Sequence, residues 1–164
     1  MPSEQIITCA RILKERKLTI AFAESASAGR LSSEFAMAPD SGGVLKGGII
    51  CYNAQVKQDL LGIDPLLIEE FTPESSEVTI ALAYALRNLI ESDIQVAVTG
   101  LTTPGGSETD KKPVGTIFVH VLFKGNSIAM HSVFNGSPEQ IILQTADMIA
   151  KTVINEVEQT GNRV

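Results

Sequence analysis

The chain has 164 residues, 44% of them apolar and 20% charged, a balance that suits one globular domain over residues 1–164 and argues against intrinsic disorder. Thirteen Lys and Arg against 19 Asp and Glu leave a net charge of −6 with no basic cluster, so a nucleic-acid footprint is absent. No apolar run reaches the roughly 18 residues of a membrane span and no signal peptide is legible, so a cytoplasmic location is expected.

Ser3 is placed to cap a first helix whose apolar face runs Ile6, Ile7, Ala10 and Leu13, closed by Lys14, Arg16 and Lys17. Residues 18–23 form a short apolar run of the buried-strand type, and 24–29 turn the chain into a second helix through about Ala38. Gly47–Tyr52 reads as the next strand, Asn53–Leu61 as a helix stopped by Gly62, and Asp64-Pro65 as the start of another. A long helix is expected to open at Thr72-Pro73-Glu74 or Ser75 and to carry Val78, Leu82, Ala85, Leu86 and Leu89. Residues 94–99 form a third strand, followed by a Gly-, Pro- and Thr-rich loop over 100–115. Two further strands, 117–123 and 128–134, make a hairpin across Lys124-Gly125-Asn126. Ser137-Pro138-Glu139-Gln140 is a capping box that launches a last helix to about Gln159.

Helices alternating with buried strands define an α/β fold with a mixed, mainly parallel sheet covered on both faces, and the C-terminal hairpin adds its antiparallel pair. Ligands of such sheets gather beyond the C-terminal strand ends. That rule selects 24–29, 52–57 and 99–106.

Ser25 stands at a strand-to-helix turn, where it is either a helix cap or a nucleophile with backbone N–H groups at hand for an oxyanion. Lys57 is either a solvated helix residue or, if burial lowers its pKa, the base that would activate Ser25. Tyr52 would ordinarily be a strand-end aromatic. His120 and His131 lie inside hairpin strands and read as core or sheet-face residues. Cys9 and Cys51 sit within apolar patterns as reduced core thiols. The loop Thr99–Gly106 and the segment Lys112–Thr116 permit close backbone approach to a ligand. Metal-ligand spacing is missing, so chemistry without a metal is expected.

In combination, several segments in this order resemble one family: Ala23-Glu24-Ser25, Gly47-Gly48-Ile49-Ile50-Cys51-Tyr52 with Lys57, Leu60-Leu61-Gly62, Val98-Thr99-Gly100, Pro104-Gly105-Gly106 and Lys112-Pro113-Val114-Gly115-Thr116. It is the C-terminal domain of the competence- and damage-inducible protein CinA, many of whose members are nicotinamide mononucleotide deamidases. The resemblance spans roughly residues 5–158. It implies a three-layer α/β/α fold and hydrolysis of the carboxamide of nicotinamide mononucleotide to nicotinate mononucleotide and ammonia, without a cofactor. Ser25 becomes the nucleophile and Lys57 the general base, with Tyr52 assisting. Ser27, Ala28, Gly29, Thr99, Gly100, Gly105, Gly106, Gly115 and Thr116 become candidates for holding the substrate. The expected partner is a small-molecule nucleotide, with no nucleic acid or membrane, and the chain is expected to form a homo-oligomer. Departures from the family pattern fall at Ala26, Ser27, Ala28, Gly42 and Ala54. A further one falls at Pro138, where an arginine suited to phosphate is replaced by a helix-starting proline.

Overall fold

A computed structural model describes residues 1–161. Its five strands are β1 (Ile20–Glu24), β2 (Leu45–Ile50), β3 (Ile94–Gly100), β4 (Thr116–Phe123) and β5 (Asn126–Val133). They lie in the order β2-β1-β3-β4-β5. β1 is parallel to both β2 and β3, while β3–β4 and β4–β5 are antiparallel, so the sheet is mixed as the hairpin implied. The helices are α1 (Glu4–Glu15), α2 (Arg30–Ala36), α3 (Ala54–Leu61), α4 (Pro65–Phe71), α5 (Ser76–Leu89) and α6 (Pro138–Gly161). No helix of the described residues is long and apolar enough to cross a membrane.

The interior strands are buried on both faces, which is why they read as continuous apolar runs rather than as alternating patterns. Ile20 and Phe22 of β1, with Val96 and Val98 of β3, pack under α1, α2 and α6. Ala21, Ala23 and Ala97 point the other way, and their small side chains bring Val78, Leu82 and Leu86 of α5 close to the sheet. Three layers result, and β1 lies between its two parallel neighbours. The connection after β1 runs outward to β2 and that after β3 runs the other way to β4, so a crevice opens between the C-terminal ends of β1 and β3.

Local signals account for most element ends. Ser3 accepts the Ile6 N–H at 3.3 Å and Asn53 accepts the Gln55 N–H at 2.7 Å, as caps should. Ser137 and Gln140 close a reciprocal capping box with bonds of 2.7 and 3.3 Å. In the hairpin, Lys124 (φ 46°) and Gly125 (φ 82°) both take left-handed backbone, which makes a two-residue turn and leaves Asn126 to β5.

Some boundaries differ from expectation, and one decides between alternatives. β2 starts two residues early and ends at Ile50, and the Cys51 N–H adds one last bond to β1 by donating to the Glu24 carbonyl at 2.8 Å. α2 is shorter than predicted, since Ala28 (φ 48°) and Gly29 (φ 92°) hold left-handed backbone before it can start. α5 takes the second of its two expected openings, with Ser75 as its cap and Ser76 as its first residue, and the preceding Thr72-Pro73-Glu74 is not helical.

Candidate active site

β1 delivers Glu24 and Ser25 to the crevice. Glu24 is 1% exposed, and its carboxylate takes over the start of α2. Oε2 accepts the Ser27 hydroxyl (2.7 Å) and the amides of Gly29 (2.9 Å) and Leu31 (3.0 Å). Oε1 accepts the amide and hydroxyl of Ser32, at 2.8 and 2.6 Å. A buried carboxylate needs such a set of donors, and a helix N-terminus offers free N–H groups in the right direction. Neither Ser25 nor Ser27 therefore caps α2. The helix start is occupied from within the protein, so it offers no ready seat for a phosphate. The amides of Ala26 and Ser27 are not among those that Glu24 engages.

Ser25 is buried, and its N–H donates to the Val98 carbonyl at 3.0 Å, which fixes the turn against β3. Its Oγ lies 2.9 Å from Nζ of Lys57. Lys57 is 0% exposed, so the solvated alternative is excluded. Burial pushes its ammonium pKa below the ordinary lysine value. Nζ also reaches the carbonyl oxygens of Cys51 (2.7 Å) and Tyr52 (3.3 Å). Carbonyls can only accept. A neutral amine has two N–H donors and one lone pair, so in that form the two carbonyls take the donors and the lone pair faces the Ser25 hydroxyl. β2 and α3 build this arrangement together: the turn after Ile50 aims two carbonyls inward, and α3 supplies the lysine one turn into the helix.

Beyond Ser25 lies a cleft of about 270 Å³, bounded by Ala26, Tyr52, Glu74 and the loop from Gly100 to Gly106. Tyr52 is 62% exposed, with its ring on the cleft rim and only its carbonyl on Lys57. Gly100, Gly105 and Gly106 line the cleft as expected of that loop, but the Gly105 N–H is turned to the Glu108 carboxylate at 2.7 Å. That bond holds the Glu108 carboxyl below its usual range.

Other expected substrate-binding residues are placed elsewhere. Ser27 is buried on Glu24, and Ala28 and Gly29 form the left-handed turn that precedes α2. Thr99 is fully buried and shares a hydrogen bond of 2.8 Å with Thr79 of α5. Thr116 donates its hydroxyl to the Pro113 carbonyl at 2.6 Å. Gly115 (φ 99°) lies so close to the chain after β5 that a Cβ would stand 2.0 Å from the Phe134 carbonyl oxygen. Thr99, Gly115 and Thr116 hold the strand ends in place. Pro138 begins α6 and does not line the cleft; its neighbour Glu139 pairs instead with Arg30 at 3.1 Å. His120 is buried with Nε2 2.7 Å from the Ser127 hydroxyl, while His131 stacks on Phe118 at the sheet surface. Neither reaches Ser25.

Two cleft features escape a reading of the sequence. Glu24 looks like a strand-end residue, and only its five bonds show it to be the helix cap. Glu74 belongs to one of the two expected openings of α5; because the helix takes the other, at Ser75, it stands on the cleft wall. Lys112 crosses from the loop to donate to Thr72 Oγ1 (2.7 Å), the Glu74 carbonyl (2.9 Å) and the Ser107 hydroxyl (2.7 Å).

The described residues thus define an α/β protein with a buried serine–lysine contact at the switch point of its sheet. The chain belongs to the CinA C-terminal domain family, whose model matches residues 4–157. A CinA-like protein of Thermotoga neapolitana is 32% identical over 151 residues, covering 92% of this chain and 36% of that relative. One from Mycobacterium marinum is 42% identical over 113 residues, 69% of this chain and 26% of the relative. The chain spans about a third of the length of these curated relatives. The crystal structure of a competence-damaged protein (CinA) superfamily protein from Klebsiella pneumoniae superposes with a TM-score of 0.88 at 21% identity, covering 95% of this chain and 97% of that one. The competence/damage inducible protein CihA from Agrobacterium tumefaciens gives 0.86 at 23%, covering 94% and 97%. These two establish the likeness of fold.

Proposed function

We propose that the chain is an amidohydrolase that converts nicotinamide mononucleotide to nicotinate mononucleotide and ammonia. The observation that carries this reading is the 2.9 Å contact between Ser25 Oγ and a fully buried Lys57 whose other two neighbours are carbonyls. An amide is a poor acceptor of nucleophiles, and a serine hydroxyl attacks it only with a base in contact. As Ser25 Oγ bonds to the carboxamide carbon, its proton passes to Lys57 Nζ. The carbonyl oxygen becomes an oxyanion near the amides of Ala26 and Ser27. Collapse of the tetrahedral species returns the proton from Lys57 to the departing nitrogen, and ammonia leaves. Water then attacks the ester on Ser25 in the same way, with Lys57 as base, and releases the carboxylate. Tyr52, with its ring on the rim, covers the substrate ring.

Ammonia release from nicotinamide mononucleotide tests the reading directly. Ser25→Ala is expected to abolish it while the protein remains folded, because Ser25 caps no helix here. Turnover retained by pure Ser25→Ala protein, or none from the wild type, overturns the proposal.

A further inference from the structure

We infer that Glu74 makes this cleft selective for a carboxamide whose ring carries a positive charge. The inference rests on the amidohydrolase reading for its ligand class. Among the side chains that bound the cleft, Glu74 is the only one that is charged at neutral pH; the others are Ser25, Ala26, Tyr52 and the loop 100–106. Its carboxylate is held by the Ser107 hydroxyl through Oε2. The nearest cation offsets it only in part: Lys112 spends its donors on a hydroxyl of Thr72, the Glu74 carbonyl and the Ser107 hydroxyl, and it meets the carboxylate only through that hydroxyl. Glu74 belongs to none of the ion pairs found among the described residues. A half-buried carboxylate whose charge is only partly offset lowers the energy of a cation brought beside it, and more so once a ligand has displaced water.

A nicotinamide ring joined to ribose through its nitrogen is such a cation. The same ring reduced to the 1,4-dihydro form has almost the same shape, ribose and phosphate, but no ring charge. Because the phosphate is common to both, the comparison isolates the charge at the ring.

The test measures binding of nicotinamide mononucleotide and of its dihydro form by calorimetry, in a Ser25→Ala background that prevents turnover. Glu74→Gln keeps the size of the side chain and an acceptor for Ser107. It is expected to weaken the oxidised ligand by about ten- to a hundredfold and to leave the dihydro ligand within about twofold. Ser107→Ala removes the hydrogen bond but leaves the charge, and the preference for the oxidised ring is expected to survive it. Equal effects of Glu74→Gln on both ligands overturn the inference even if the wild type releases ammonia. If Glu74→Gln erases a preference while the wild type releases no ammonia, the charge selection stands and the amidohydrolase reading falls. Absence of binding by either ring form overturns both.

Discussion

At the scale of single residues, Lys57 carries the most information. Its ammonium would be enclosed with carbonyl and hydroxyl groups and no carboxylate in contact, so burial favours the neutral amine. A base must be unprotonated to act. Turnover is therefore expected to rise with pH through a pKa lower than that of free lysine, and a flat rate from mildly acidic to alkaline pH would contradict it. Stability follows with a definite sign. The unfolded chain keeps its lysine proton up to about pH 10.4, whereas the folded chain gives it up earlier. Between the two values the unfolded state binds more protons, so folding becomes more favourable as pH rises. Denaturant titrations of wild type and Lys57→Met, whose side chain does not titrate, should diverge in favour of the wild type across that window. Sequence could place Ser25 and Lys57 at neighbouring strand ends, but not decide between solvated lysine and base. That choice depends on the turn after Ile50, whose carbonyl directions leave no trace in residue identity.

At the scale of elements, the start of α2 shows how one side chain serves two structures. Glu24 ends β1 and caps α2, and Ser25 lies between those two attachments. Glu24→Gln would turn an amide NH₂ toward N–H and O–H donors, leaving at least one of them unpaired. A buried donor without a partner costs about 1–3 kcal/mol, and more where a charge was involved. For a chain of this size each kcal/mol shifts Tm by roughly 2–4 °C. Thermal unfolding of Glu24→Gln should show a fall of about 2–12 °C, with kcat reduced as Ser25 loses its mooring. A change under about 1 °C would mean that the cap is dispensable. Helix starts with a cap in the usual place, as at Ser3, Asn53 and Ser137, are legible from sequence. This one is not, because its cap comes from the preceding strand. For α5 two openings were legible, Thr72-Pro73-Glu74 and Ser75, and the backbone decides between them: Thr72 takes φ 70° and the helix waits for Ser75.

At the scale of the whole molecule, alternation of helix and buried strand was enough to anticipate the layers and the crevice. Strand order was not, since it depends on which side of β1 each crossover takes. The two cysteines report on global integrity. Cys9 lies on the core face of α1, where burial pushes its thiol up to about 12, and burial likewise raises Cys51 beside Lys57. The thiolate is the reactive form. Neither thiol should react with an aromatic disulfide reagent at pH 8 in the native protein, and both should react once denaturant unfolds it. Rapid labelling under native conditions would show that the core opens locally.

The mixed sheet also orders events in time. β4 and β5 are joined by a two-residue turn, and contacts so near in sequence close within microseconds. The parallel half has no such shortcut: Ile20 must find Leu45 on one side and Ile94 on the other, across whole helices. Such distant pairings set the pace of folding. Ser25 and Lys57 both hang from that slow half, one on the end of β1 and the other on the helix after β2. A full-length chain folding from the unfolded state thus closes its hairpin before it holds its chemistry, and the cleft is among the last things it completes.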